Sequence, residues 1–468
     1  MTAPCRLGRD RRSPPPYIWF MLSPDDALTR LDAALAAARA AGADAADALY
    51  VGDGSTSISV RLGQLEDIGR AEGEEVGIRV FVGQRSASVS SSDLTPAALR
   101  EAAERAVAMA RLAPEDPYAG LAPEDRLARG ALPDLDIDDP AEISAAALKE
   151  RALACEDAAR AIAGVTNSEG AGASAGTVVM ALATSTGFRG GKRSTSHGLS
   201  ASVVAGTGSD MQRDYAWHSA RHLADVESAE EIGTRAGHRA VQRLHPIKLA
   251  SGQMPILFDP RVSSTLLGHL VGAITGSAIA RGTSFLKDKL GQQILPAGLS
   301  IIDDPLRRRG LRSRAFDGEG LPAARTAIIE NGVLTTWLMD SASARQLGLA
   351  PTGHASRGTS GPPGAGTTNL HLEGGTATPA ELMADIKKGV LVTELIGMGV
   401  NGLTGDYSRG ASGYLIENGE ITRPVAEITI AGNLIDMFVK MTAGNDLAFR
   451  HASNAPTLRI DGMMVAGS

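Results

Sequence analysis

Apolar positions follow two periods along this chain, and the changes between them divide it. After Ser23-Pro24-Asp25-Asp26, apolar residues recur at helical spacing through LTRLDAALAAARA and stop near Gly42. Serine suits the cap and proline the first turn, while the two acids lie at the positive end of the helix dipole. Two strand-like runs follow, DALYVGDGSTSISVRLG and EEVGIRVFVGQRSASVSSSD, and the second alternates at Val76, Ile78, Val80 and Val82. Thr95-Pro96 predicts a further helix to about Leu112. Together these make an N-terminal α/β domain over 22–115, and residues 113–139, rich in Pro, Asp and Gly, read as a linker.

Asp139-Pro140 predicts a helix through SAAALKERALACEDAARAI. Three glycine-punctuated strand candidates come next, Ala175 to Thr186, His197 to Gly206 and Met211 to Trp217, which suits an antiparallel meander. Ser228-Ala229-Glu230-Glu231 has the form of a capping box and opens a helix that His245-Pro246 ends. This is a middle α+β domain of 130–245. From 246 to 468 the texture is β-rich, and two Glu-Asn-Gly turns, at 330–332 and 417–419, separate strand-like runs. Asn-Gly between such runs signals a tight hairpin. Val425 to Asn433 and Pro456 to Val465 also read as strands, and the fold class as a whole is α+β.

One stretch of the C-terminal part departs from ordinary helix composition: LLGHLVGAITGSAIARGTSF, residues 266–285. Asp259 and Pro260 give a start signal, and Gly268, Gly272, Gly276 and Ala280 recur every fourth residue, hence in one row along a helix. Each glycine costs a helix about 1 kcal/mol relative to alanine, so another backbone must approach closely there. That backbone is open to two readings, a packed neighbour within the fold or a bound partner or peptide.

The same stretch closely resembles the TldD/PmbA family, bacterial peptidases also called modulators of DNA gyrase. The catalytic TldD branch carries His-Glu-x-x-x-His followed by Gly-Thr-Ser. Registered on Gly282, Thr283 and Ser284, the metal histidines fall on Leu267 and Gly272 and the glutamate on Gly268, with His269 one residue out of phase. A catalytic zinc needs about three nitrogen, sulfur or carboxylate ligands, which leucine and glycine do not supply. The family's third ligand, a cysteine before the last strand, is also missing from 445–453, where His451 stands alone. The pattern is similar to the PmbA (TldE) branch. Thr404-Gly-Asp-Tyr-Ser-Arg-Gly-Ala-Ser-Gly413 and Glu427-Ile-Thr-Ile-Ala-Gly-Asn433 strongly resemble signatures of that branch.

The resemblance covers about residues 22–468. It implies a heterodimer with a TldD-type metallopeptidase subunit that supplies the zinc, with no cofactor and no catalytic residue in this chain. Implied substrates are unfolded peptides and leader peptides. Asp406, Tyr407 and Arg409 then become candidates for holding peptide, together with His269, while Gly268, Gly272 and Gly276 mark a groove or interface helix. Asp406, Tyr407 and Arg409 serve equally as a salt-bridged turn that closes the sheet. A rival from another class is a stand-alone, homodimeric binding or structural protein without peptidase activity.

Other polar motifs carry less. His218 and His222 form His-x-x-x-His without a glutamate, in a run that reads as strand rather than helix. Ser194-Thr-Ser-His197 and Ser408 lack a nucleophile-elbow setting, and Arg307-Arg308-Arg309 with Asp303-Asp304 reads as a charged turn. RGTSGPPGAG, residues 357–366, has no Lys-Ser/Thr and reads as a flexible loop.

Composition narrows the compartment and partners. A net charge of −7 over 468 residues argues against a nucleic-acid footprint. Aromatics make up 4%, so the cores must be aliphatic. Cys5 and Cys155 form no disulfide framework or metal motif, and no run approaches the about 20 apolar residues of a membrane helix. These features predict a cytoplasmic protein with no membrane partner. Residues 1–21 read as a disordered or non-native extension, because a helix cap follows at once.

Overall fold

The computed structural model describes residues 21–467. The expected 1–21 extension, apart from Met21, lies outside them. Helix α1 spans Pro24–Ala40; the Ser23 hydroxyl accepts from the Asp26 N–H at 3.1 Å. Strands β1 (Ala45–Arg61), β2 (Gln64–Val82) and β3 (Arg85–Ser91) follow, then α2 (Pro96–Leu112). The second strand-like run is thus two strands, parted by a turn at Gly83, whose φ of +58° suits glycine.

Helix α3 runs Ala145–Arg160 from a Ser144 cap, later than the Asp139-Pro140 start that the sequence suggests. Asp139 is buried instead, where its carboxylate accepts from the N–H groups of Ala141 and Leu223. Strands β4 (Val165–Thr184), β5 (Arg189–Ala205) and β6 (Gln212–Ala220) are longer than the alternation suggested, because small Gly, Ala and Ser residues continue the ladder without an apolar signal. Helix α4 (Ala229–Gln242) closes the region behind a complete Ser228/Glu231 capping box.

One antiparallel sheet joins all six strands in the order β3-β2-β1-β4-β5-β6. Strand alternation carries Ala46, Ala48, Tyr50, Ile58 and Val60 of β1 to one face. Toward the Ala46 end they join the core of α1 and α2, and toward the Val60 end that of α3 and α4. Cys155 is buried in the second core as a small apolar residue, and burial pushes its thiol up to about 12. On the opposite face Leu49 and Leu182 meet Phe188, Phe316 and Leu321, which dock the C-terminal region.

In that region strand β7 (Gly252–Phe258) pairs with Lys388–Ile396 on one side and Leu458–Ala466 on the other. Lys388–Ile396 continues to Asp406–Glu417 and then Glu420–Asn433, which pairs back with Leu458–Ala466. Five strands therefore close on themselves around the largest apolar core. Both Asn-Gly turns form as expected, with left-handed φ at Asn331 (+48°) and Gly332 (+84°) and at Asn418 (+52°) and Gly419 (+85°).

Two expectations are corrected here. The glycine-row helix is two pieces, α5 (Pro260–Ala273) and α6 (Gly276–Ala280). At the break the main chain pairs with Leu338: Leu338 N–H donates to Ile274 at 3.0 Å and Gly276 N–H to Leu338 at 2.7 Å. The 357–366 loop is clamped, since Arg357 is fully enclosed and ion-paired with Asp47, and Ala355–Ser356 pairs with Gly364–Ala365.

Glu319 is nearly enclosed and accepts from the Ser341 N–H and hydroxyl at 2.8 and 2.6 Å. Burial, with Asp317 nearby, pushes its carboxyl from 4.5 up to about 7. The folded form therefore holds a proton that the unfolded chain releases, so this group's contribution to stability is lost as pH rises from 4.5 to about 7. Glu319→Gln keeps both acceptor contacts and should flatten that slope in urea unfolding measured across the window. An unchanged slope would disprove the assignment.

Candidate functional site

Asp259 caps α5, its carboxylate accepting from Arg261 N–H at 2.9 Å, and Pro260 takes the first turn. Leu266, Leu267, Leu270 and Ala273 face the core. Gly268 and Gly272 lie on the opposite, exposed face, where an added Cβ meets nothing within 4 Å. Of the row, Gly276 alone is close-packed, its added Cβ falling 2.5 Å from Ser343 Oγ and 2.8 Å from Met339 Cγ. No neighbour in this chain explains the first two glycines.

Zinc does not fit this helix. Leu267 is buried in the core, and Gly268 and Gly272 offer no donor atom. Among the described residues, no three His, Cys, Asp or Glu side chains gather as a metal site requires. His218 is on strand β6 and its Nδ1 accepts from Glu227 N–H at 3.1 Å, whereas His222 lies beyond the strand beside Asp136 and Asp139. His451 stacks on Trp217, with ring centroids 4.4 Å apart.

Three of the sequence candidates do come together. Asp406–Glu417 alternates, so Tyr407 and Arg409 face inward while Asp406 and Ser408 face outward. Tyr407 is 1% exposed, and its ring meets His269 of α5 edge to face at 5.9 Å. Arg409, 9% exposed, lies close enough to both for its charge to act on them. Burial, helped by Arg409, holds the His269 imidazole below its ordinary value, hence neutral at pH 7. Burial pushes the Tyr407 phenol up to about 12, against the opposing charge of Arg409. Asp406 stands apart, bonded to Thr404 Oγ1 at 2.6 Å and Asn433 Nδ2 at 3.2 Å. Those bonds hold its carboxyl below the usual range and make it a turn-closing residue.

Buried polar atoms are almost always paired. Yet His269 Nε2, Tyr407 OH and Arg409 Nε have no protein hydrogen-bond partner of good geometry. Two are donors and the third is an imidazole nitrogen, a set that suits a carbonyl or carboxylate. Because the hydroxyl has only the neighbouring Arg409 guanidinium to interact with, Tyr407→Phe should change stability by no more than about 1 kcal/mol in urea unfolding. A loss above about 2 kcal/mol would show that the hydroxyl is structural.

The charged turn is satisfied internally. Arg308 and Arg309 reach Asp136, Arg309 also reaches Asp225, and Arg307 lies over the Phe449 ring at 3.5 Å. Sequence reasoning missed a cavity of about 990 Å³ between β6, α4 and the C-terminal region, lined by Trp217, Arg239, Arg261 and Arg312 among others. Arg235 and Arg239, four apart on a well-capped helix, were its legible signal.

The chain is thus an α+β protein in which the capped helix α5 packs against a closed five-strand ring. Models of the PmbA/TldA metallopeptidase domain 1, central domain and C-terminal domain match residues 46–110, 138–244 and 251–467. Metalloprotease PmbA of Escherichia coli O157:H7 is 40% identical, over 92% of this chain and 94% of the relative. A PmbA homologue from Haemophilus influenzae is 38% identical, over 88% and 90%. A Bacteroides thetaiotaomicron protein crystallised under the name modulator of DNA gyrase superposes with a TM-score of 0.87 at 29% identity, covering 95% of this chain and 99% of that one. TldE from Thermococcus kodakarensis, at 22% identity, shares the fold with a TM-score of 0.83, covering 94% and 100%. The chain belongs to the PmbA/TldD family, on its PmbA/TldE side.

Proposed function

We propose that this chain is the metal-free subunit of a TldD/TldE-type peptidase. It pairs in the cytoplasm with a zinc-bearing TldD-type subunit and helps hold unfolded peptides or leader peptides for cleavage. The observation that carries this reading is the exposed face of α5. Where the catalytic branch carries its glutamate and its second metal histidine, this helix carries Gly268 and Gly272, with open space above both. Bare glycine lets another main chain approach the helix directly. Behind that face lie His269, Tyr407 and Arg409, with buried polar atoms that lack a well-formed hydrogen-bond partner in the chain. An extended peptide would be gripped through main-chain hydrogen bonds, a mode tolerant of sequence. No helix among the described residues is long and apolar enough to cross a membrane.

The test is hydrolysis of an unstructured peptide by this chain alone, a TldD-type partner alone and the two mixed, with zinc measured in each. Activity in the mixture only, with zinc in the partner, is expected. Chelator-sensitive activity and stoichiometric zinc in this chain alone would refute the reading. A homodimer that binds nothing and leaves the partner's activity unchanged would favour a stand-alone structural protein.

A further inference from the structure

The arginine-lined cavity lies apart from the α5 cluster and has its own chemistry. Its walls come from β6, α4, the first turn of α5 and the 446–457 segment, and its volume of about 990 Å³ suits several residues of a peptide. Five arginines line it, Arg235, Arg239, Arg261, Arg312 and Arg450, against two aspartates, Asp259 and Asp446. In a chain of net charge −7 such an excess is not background. Tyr215 and Trp217, 47% and 41% exposed, add an aromatic wall.

The ion pairs show which cations are committed. Arg235 and Arg450 share Glu227, while Arg261 takes Asp214 and Asp259. Asp446 is turned to the Thr457 N–H and hydroxyl, at 2.9 and 2.7 Å. Arg239 and Arg312 make no ion pair among the described residues, although Asp214 and Asp259, both held by Arg261, lie near enough for their charge to reach Arg239. Arg239 donates to the Tyr215 main-chain oxygen at 3.2 Å, and burial, with Arg261 beside it, pushes its guanidinium down to about 10. Arg312 is exposed, and its side chain makes no hydrogen bond or ion pair among the described residues. Strand β6 is the last strand of its sheet and pairs with β5 alone among the described residues, with Arg239 on the main-chain oxygen of its Tyr215.

We propose that this cavity docks carboxylate groups of an extended peptide, with Arg239 and Arg312 as the receiving cations and Trp217 as the apolar wall. The choice of a peptide as occupant rests on the peptide-handling reading above; the carboxylate preference is additional to it. Two sources supply that chemistry, the peptide C-terminus and acidic side chains, and guanidinium forks match both.

The probe is a fluorescent, unstructured Glu-containing peptide with a free C-terminus, titrated into the full chain. Three companions separate the sources: the C-terminal amide, the Glu-to-Gln peptide and the doubly neutralised peptide. Wild type should bind the fully charged peptide at least about tenfold more tightly than the doubly neutral one. Arg239→Gln with Arg312→Gln should reduce that ratio to near one and leave the neutral peptide's affinity unchanged. Arg312→Gln alone, at an exposed unbonded position, tests the idea in a chain that folds normally and should weaken the charged peptide several-fold. Equal affinity for all four peptides would overturn the carboxylate site and leave peptide handling standing. An unaltered ratio in the double variant would overturn it too, as would failure of wild type to bind any of the four. Peptide handling itself is judged separately by the activity of the mixture.

Discussion

Asp47→Ala is expected to destabilise the protein by about 3–5 kcal/mol, the largest effect of any single polar substitution considered. Asp47 sits opposite Arg79 in the β1–β2 ladder and also meets Arg357 from the C-terminal loop. Side-chain exposure is 1% for Asp47, 7% for Arg79 and 0% for Arg357. Burial alone would push the Asp47 carboxyl up, but the two guanidiniums outweigh it and hold it below the usual range. Its contribution is therefore present at neutral pH and lost in acid, as pH falls below the ordinary carboxylate range. Alanine leaves two buried cations without the carboxylate that bridges them, with only the more distant Glu319 and Asp340 charges acting on Arg79. Guanidinium unfolding at pH 7 measures the change. A loss under about 1 kcal/mol would mean that water reaches the arginines and the clamp is weak.

Gly268 and Gly272 should separate stability from function. With open space above both, Gly268→Ala and Gly272→Ala are each expected to stabilise the isolated chain by up to about 1 kcal/mol, the ordinary helix difference. Gly268→Leu starts from the same open Cβ position on an exposed helix face, so the melting temperature of the isolated chain should not fall. In the mixture with a TldD-type subunit it should abolish the added peptidase activity, because the side chain fills the face that another main chain must reach. Full activity of a folded Gly268→Leu chain would remove α5 from the proposed peptide path. Comparing melting temperature with mixed activity distinguishes a blocked face from a damaged fold.

Much of the architecture was legible in local chemistry. Caps at Ser23, Thr95, Ser228 and Asp259, and the two Asn-Gly turns, all form where short-range rules put them. What failed was whatever depended on distant pairing. The break at Ile274–Thr275 exists because Leu338, far along the chain, competes for the same main-chain groups. Arg357 looked mobile amid glycine and proline, and only the fold reveals Asp47 beneath it. The site divides likewise. Tyr407 and Arg409 share one face of a strand that reads as a polar loop or turn in the sequence, and the same alternation turns Asp406 away. His269 could be placed against Tyr407 only once α5 was docked on the closed ring. The β6–α4 cavity draws its arginines from four separate stretches, beyond the reach of any local pattern.

The six-stranded sheet has a consequence for how this chain behaves as a material. Family models divide the first half of the protein at the 111–137 gap, yet β1 and β4 are hydrogen-bonded neighbours along almost their whole length. Neither half can leave without tearing that ladder, so the division is not a hinge. Heat, force or a damaging substitution at one end of these strands is transmitted lengthwise to the other. The two segments match separate family models but share one sheet, and should melt as one solid.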